Sequence, residues 1–168
     1  MDMRFRALLH DMQLNILGNM TEKAGNIKMP AYDVAYLDSM IKKHRYLFKL
    51  IGRNCEGNAF AVIDRYLRGE YRKRMDEGNP LYLNKTPKQI LGDMGIRIQP
   101  DLEISDRYDE FILAWMADIY TYLQWKYALP SEQIAEKIFP EDLYKKYYPL
   151  HETSIENAVD KLKQIYSL

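Results

Sequence analysis

The chain has 168 residues, 47% of them hydrophobic and 29% charged, with 24 basic and 24 acidic side chains. Those values exclude a fibre or a disordered polyampholyte and fit one domain that buries roughly 70% of its unfolded surface. No apolar run reaches the roughly 18 residues needed to cross a bilayer, and the opening MDMRFRALLHDMQ is no signal-peptide core.

A cytoplasmic protein with no membrane partner is therefore expected. A single cysteine, Cys55, cannot close an internal disulfide, which suits a reducing compartment. Charge is unevenly placed: residues 1–74 hold 14 Lys/Arg against 8 Asp/Glu, and residues 75–168 hold 10 against 16. Such a chain either pairs its own halves or shows two faces of opposite sign. Self-pairing is the expectation, because folding brings opposite charges together without a partner.

The first predicted helix covers residues 4–17, with Phe5, Leu8, Leu9, Met12 and Ile16 at helical spacing and Gly18 as its stop. After a polar loop, Asp33 is positioned as an N-cap. The stripe Leu37, Met40, Ile41, His44, Leu47, Phe48 and Ile51 then predicts an amphipathic helix ended by Gly52. Asn58 opens a third helix, with Phe60, Ile63, Tyr66, Leu67 and Tyr71 inward, running to about Met75. Gly78-Asn79-Pro80 predicts a turn. Thr86-Pro87-Lys88-Gln89 is a capping box that starts a short helix before Gly92 and Gly95.

Residues 95–105 read as irregular, with a strand over Ile96–Ile98. They form the one candidate boundary, taken as internal to a single domain. A central helix follows over about 106–127. Its polar side chains Asp118, Thr121 and Gln124 share a narrow stripe, and large apolar residues from Phe111 to Tyr127 fill most of the remaining circumference. A helix of that kind must be enclosed by neighbouring elements or by a partner. Two short helices over 131–138 and 141–148 come next. Thr153-Ser154-Ile155-Glu156 reads as a second capping box, opening a last helix with Ile155, Val159, Leu162 and Ile165/Tyr166 inward. No repeat of 20 to 50 residues is present. The expected fold is an all-α single-domain bundle around the 106–127 helix.

Catalytic signatures are missing from the text of the chain. His10, His44 and His151 are scattered, and none pairs with another His or with Cys at metal-ligand spacing. His44 lies on an apolar stripe and reads as a hydrogen-bonded core histidine; His151 reads as a loop residue bonded to backbone. Cys55 follows Arg53 near a helix start, features that lower a thiol pKa, but it lacks a His/Asn framework and reads as inert. The glycines form neither a phosphate loop nor a dinucleotide fingerprint, and there is no serine elbow. No cofactor is implied.

Arg65, Arg68 and Arg72, with Lys73, recur at three- and four-residue spacing and predict an exposed basic ridge beside Tyr66 and Tyr71. Such a ridge contacts nucleic acid phosphates or an acidic protein surface. The plainer reading is a solvated face paired with Asp64, Glu70, Asp76 and Glu77. Residues 131–148 have the outline of a helix-turn-helix, but Glu141-Asp142 would meet phosphate with the wrong charge.

Tyrosine is the outlier, at 14 residues, with Tyr120, Tyr122, Tyr127, Tyr144, Tyr147, Tyr148, Trp115 and Trp125 gathered between 115 and 148. Rings with few rotamers favour interfaces, or serve as core filler with surface hydroxyls. Trp125, on the polar stripe, is expected to stay partly exposed. Protein binding is thus the leading class, through Trp125, Tyr144, Tyr147, Tyr148 and the Arg65/Arg68/Arg72 ridge, with self-association also compatible. A nucleic-acid-binding operon regulator is the alternative.

Three stretches carry a resemblance: RGEYRKRMDEGNPLYLNKTPKQIL (68–91), the W-x-x-x-x-Y-x-Y-x-Q-W core (115–125) and PEDLYKKYYPLHETSIENAVDKL (140–162). Together they resemble an uncharacterised family of small proteins from Gram-positive gut bacteria, similar to components of toxin–antitoxin-like gene clusters, sometimes beside ADP-ribosyltransferase-like toxins. The last 60 residues, notably Leu150-His151-Glu152-Thr153, look like the small antitoxin-type partner. The resemblance implies a protein partner encoded nearby and transfers no catalytic residue.

Overall fold

A computed structural model describes residues 29–54, 57–98 and 107–168. The expected helix 4–17, His10 and Cys55 lie outside them. Among the described residues there are ten α-helices and no strand, so the fold is all-α.

Asp33 accepts the Ala35 N–H at 2.9 Å and caps a 3-10 turn, Val34–Tyr36, that feeds α1, Leu37–Asn54. The predicted stripe is buried except for half-buried Ile41, but Gly52 does not stop the helix. It lies where α1 crosses the central helix, and a Cβ there would come within 2.4 Å of Leu113 Cδ1. Glycine inside a helix costs about 1 kcal/mol; here the missing side chain permits the close approach. Gly52→Val should therefore overpack Leu113, which is fully buried, and cost about 1–3 kcal/mol, read as a lower midpoint in urea.

Asn58 caps α2, Ala59–Arg68, accepting the Phe60 N–H at 2.9 Å. The helix expected to continue to Met75 breaks at Gly69, which is extended (φ −78°, ψ 156°), and α3, Glu70–Asp76, starts on a new axis. Gly78, at φ +75° with Ala31 O where a Cβ would be, turns the chain toward α4, Pro80–Leu83. The first capping box forms as read: Gln89 N donates to Thr86 Oγ1 at 3.3 Å and Thr86 N to Gln89 Oε1 at 2.9 Å, opening α5, Pro87–Asp93. Ile96–Ile98 is irregular, not a strand.

The central helix α6 is Glu110–Tyr127, capped by Asp109, whose carboxylate accepts the N–H groups of Phe111 and Ile112. Then follow α7, Ser131–Lys137; α8, Pro140–Lys145; α9, Tyr147–Leu150; and α10, Ile155–Tyr166. The last cap sits one residue beyond the expected box. Ser154 accepts the Asn157 N–H, so Asn157 rather than a glutamate occupies the third position. Ile165 proves exposed, while Val159 and Leu162 are buried.

α6 is the spine. α1 runs antiparallel to it, tied by Arg45 to Asp118 (2.5 and 2.7 Å) and by Arg53 to Glu110. α10 runs parallel, with Tyr122 bonded to Glu156 and both Lys126 and Tyr127 to Asp160. The two α1 pairs join the basic first half to the acidic second half, as expected of self-pairing. The polar stripe of α6 is itself buried: Asp118 under Arg45, Thr121 against His44, and Gln124 beside a cavity. Burying each large core side chain contributes about 1.5–3 kcal/mol, and α6 supplies Ile112, Leu113, Met116, Ile119, Tyr120 and Leu123 to that core.

Candidate functional site

The arginine ridge does not exist as an exposed feature. Because Gly69 interrupts the helix, the three- and four-residue spacing does not carry across it, and Arg72 turns inward to 2% exposure. Its Nε donates to Ser131 Oγ at 2.7 Å and lies 3.1 Å from Asp76 Oδ1. Asp76 in turn accepts from Ser131 N at 2.6 Å and Ser131 Oγ at 3.0 Å. On its other side Arg72 Nη1 donates to His44 Nε2 at 2.5 Å. Arg68 bonds Asp64 at 2.8 Å and the Ala135 carbonyl at 3.0 Å, and lies over the Phe139 ring. Arg65 is exposed, its guanidinium on the Met94 carbonyl.

An arginine always donates, so the contact with Arg72 leaves His44 Nε2 bare and puts the ring proton on Nδ1, which donates to Thr121 Oγ1 at 3.0 Å. Tyr66 Oη lies 2.9 Å from the same Nε2 and 3.3 Å from Met75 Sδ. Burial first, and then the Arg72 charge, hold the His44 pKa well below its ordinary value. The core reading of His44 is thereby met. Burial also lifts the Asp76 carboxyl, with Arg72 opposing. Burial would pull Arg72 down, but Asp76 and the two phenols Tyr66 and Tyr32 lift it above its ordinary value. His44, Arg72 and Ser131 are all sealed. This centre joins α1, α2, α3, α6 and α7, with Asp76 also on the wall of a cavity.

The aromatic residues separate into distinct groups. Tyr144 turns away from its neighbours in sequence: its ring packs edge-on against Phe60 and Tyr108, and its hydroxyl accepts the Asp109 N–H at 2.9 Å. Trp125 is half-buried beside Tyr122 and donates Nε1 to the Tyr32 carbonyl at 3.0 Å, an internal bond. Tyr147 and Tyr148 do come together at the surface, with ring centroids 5.5 Å apart. Tyr147 stacks on His151 at 4.5 Å and meets Trp115 edge-on at 5.4 Å. His151 Nδ1 donates to the carbonyls of Tyr147 and Tyr148, the backbone bonding read for it from sequence.

Phe111, one turn before Trp115 on the same face of α6, extends this cluster. It is 78% exposed, and Tyr148 is 71% exposed. Trp115 forms the floor, and its Nε1 has no hydrogen-bond partner among the described residues. The helical pattern assigned Phe111 inward. Only its place in the first turn, beyond the reach of α10 and α7, marked it as different. The exposed rings are therefore Phe111 and Tyr148, with half-buried Tyr147 between Tyr148 and Trp115 and His151 stacked on it.

Among the described residues no three His, Cys, Asp or Glu side chains gather in a way that could hold a metal, and no helix is long and apolar enough to cross a membrane. No family model, curated protein or solved structure matches the chain.

Proposed function

We propose that this chain is a protein-binding module, an antitoxin-like protein that docks on and occludes a partner toxin through the Phe111–Trp115–Tyr147–Tyr148 cluster. The observation that carries this reading is the exposure of two large rings: Tyr148, packed on Tyr147 and through it on Trp115, and Phe111, one helical turn before Trp115. Large rings held by their neighbours lose little rotamer freedom on contact, which is the composition of interface hot spots. The resemblance of the last 60 residues to antitoxin-type partners points to the same part of the chain. The operon-regulator reading draws less support, because Arg72 is buried and Arg65 and Arg68 already bond backbone carbonyls.

The test is co-purification from the native host, with and without the double substitution Phe111→Ala and Tyr148→Ala. Each truncation should weaken partner binding about tenfold or more, as hot-spot rings do, with thermal stability nearly unchanged because both rings are exposed. Raising salt should alter the affinity little, whereas phosphate-driven binding would fall steeply. Retention of the partner by the double variant would refute the docking surface. Loss of a second copy of this chain, rather than a different protein, would reassign it to self-association.

A further inference from the structure

Between the first turns of α1 and the short helix α4 lies a cavity of about 410 Å³, within the size range of small-molecule sites. Lys43, on its wall, stands about 15 Å along the axis of α1 from Arg53. Arg53 holds Glu110, the neighbour of Phe111, so this place is separate from the ring cluster. One wall is a single face of α1: Ser39, Met40 and Lys43 stand three and four residues apart, which sets their side chains on the same side. The facing wall is α4, through Pro80 and Leu83. Lys43 Nζ crosses from one wall to the other and donates to the Leu83 carbonyl, which places its charge in the gap between the two helices.

That ammonium lacks a counter-charge. It makes no ion pair among the described residues, and the bond to Leu83 uses one of its three donors. Half-burial holds its pKa below the ordinary ammonium value, and no carboxylate lifts it back. A cation drawn partly out of water without a partner is costly. Ser39, one turn before it, is exposed, and its hydroxyl makes no hydrogen bond among the described residues. Met40, Pro80 and Leu83 supply apolar wall. One carboxylate, Asp33, also lines the cavity. Its Oδ1 accepts the Ala35 N–H, and it lies outside ion-pair reach of Lys43.

We infer that this cavity binds a small organic carboxylate, its oxygens accepting from Lys43 Nζ and Ser39 Oγ and its alkyl body packed on Met40, Pro80 and Leu83. One ammonium matches one negative charge, whereas a phosphate dianion would keep a surplus beside Asp33. A hydrogen bond between two charged groups is stronger than one with a neutral partner, so the site distinguishes a carboxylate from an alcohol of the same length.

The experiment is titration of the full chain with n-hexanoate, n-hexanol and n-hexylammonium, followed by amide chemical shifts around residues 39, 43 and 83. Saturable binding of hexanoate, at least about tenfold tighter than hexanol, is expected, with hexylammonium weaker than either. Lys43→Met, which keeps the aliphatic stem and removes the charge, should weaken hexanoate by a similar factor and leave hexanol unchanged. Asp33→Asn keeps an N-cap side chain and removes the opposing charge, so it should tighten hexanoate about twofold or more. No saturable hexanoate binding, or equal affinity for hexanol, would overturn the assignment. So would unchanged hexanoate affinity in Lys43→Met, a loss of hexanoate affinity in Asp33→Asn, or a preference for hexylammonium, which would make Asp33 the binding charge.

Discussion

Arg72→Met should lower the unfolding free energy by about 3–5 kcal/mol, the cost of leaving one member of a buried ion pair without its partner. Asp76 would keep only the Ser131 donors, and His44 Nε2 would lose the guanidinium that now satisfies it. Because the carboxylate would then be buried with no counter-charge, the loss should exceed that of an ordinary core truncation. The double variant Arg72→Met, Asp76→Leu should recover most of the stability, since a buried pair replaced by apolar groups of similar volume is often near neutral. Arg65→Met, at the exposed position four residues before Gly69, should stay within about 0.5 kcal/mol. Urea unfolding of these proteins, with the single variant Asp76→Leu added, completes the double-mutant cycle. A value for Arg72→Met as small as that for Arg65→Met would restore the solvated ridge and remove the polar centre as a stabilising element.

Acidification should destabilise the fold below about pH 6.5, the ordinary histidine value, well before its carboxylates titrate. His44 is neutral in the folded chain, with its pKa driven far down by burial and by Arg72. The unfolded chain binds a proton at that position as pH drops, and the folded chain does not. Stability is therefore complete above pH 6.5 and falls by up to about 1.4 kcal/mol for each unit below it. Asp76 and Asp118 act in the opposite sense and at lower pH. Burial lifts both, so the folded chain takes up those protons before the unfolded one. Most groups around the imidazole oppose its protonation, Arg72 at Nε2 and Lys43 within electrostatic reach, and the Met40 backbone, which favours the charged ring, is outweighed by burial. Thermal melts between pH 7.5 and 5.5 should show the loss, and His44→Gln, which cannot titrate, should flatten it. An unchanged slope in that variant would place the acid sensitivity elsewhere.

The helices were readable because their signals are local. Asp33, Asn58 and Thr86 hold backbone N–H groups within two or three residues, and a side chain of the right type at the right place suffices; the central helix, read from about 106, instead starts at Glu110 under Asp109. The burial of α1 and the enclosure of α6 followed from periodicity in the same way. The candidate site was only half legible, for reasons that are not local. Tyr147 and Tyr148 do form a surface pair, but Tyr144, three residues earlier, faces Phe60 because α8 ends at Lys145 and the chain changes direction. Trp125 looked available from its place on the polar stripe, yet the Tyr32 carbonyl, 93 residues away, takes its N–H. Phe111 was hidden by being apolar on an apolar helix. Its exposure depends on where the neighbouring helices stop. Gly52 and Gly69 show the same limit from the backbone side: one glycine sits inside a helix and the other divides one, and residue type alone does not separate the two cases.

The division at Gly69 also bears on which insertions and deletions the chain can absorb. Each helical residue turns the next by about 100°, so removing one position between Gly69 and Arg72 would aim the guanidinium away from Ser131 and His44. The phase of α3 relative to α1 and α7 is thus set by chain length at a single joint. That joint is an indexing tooth: the number of residues in it, as much as their type, decides which side chains meet.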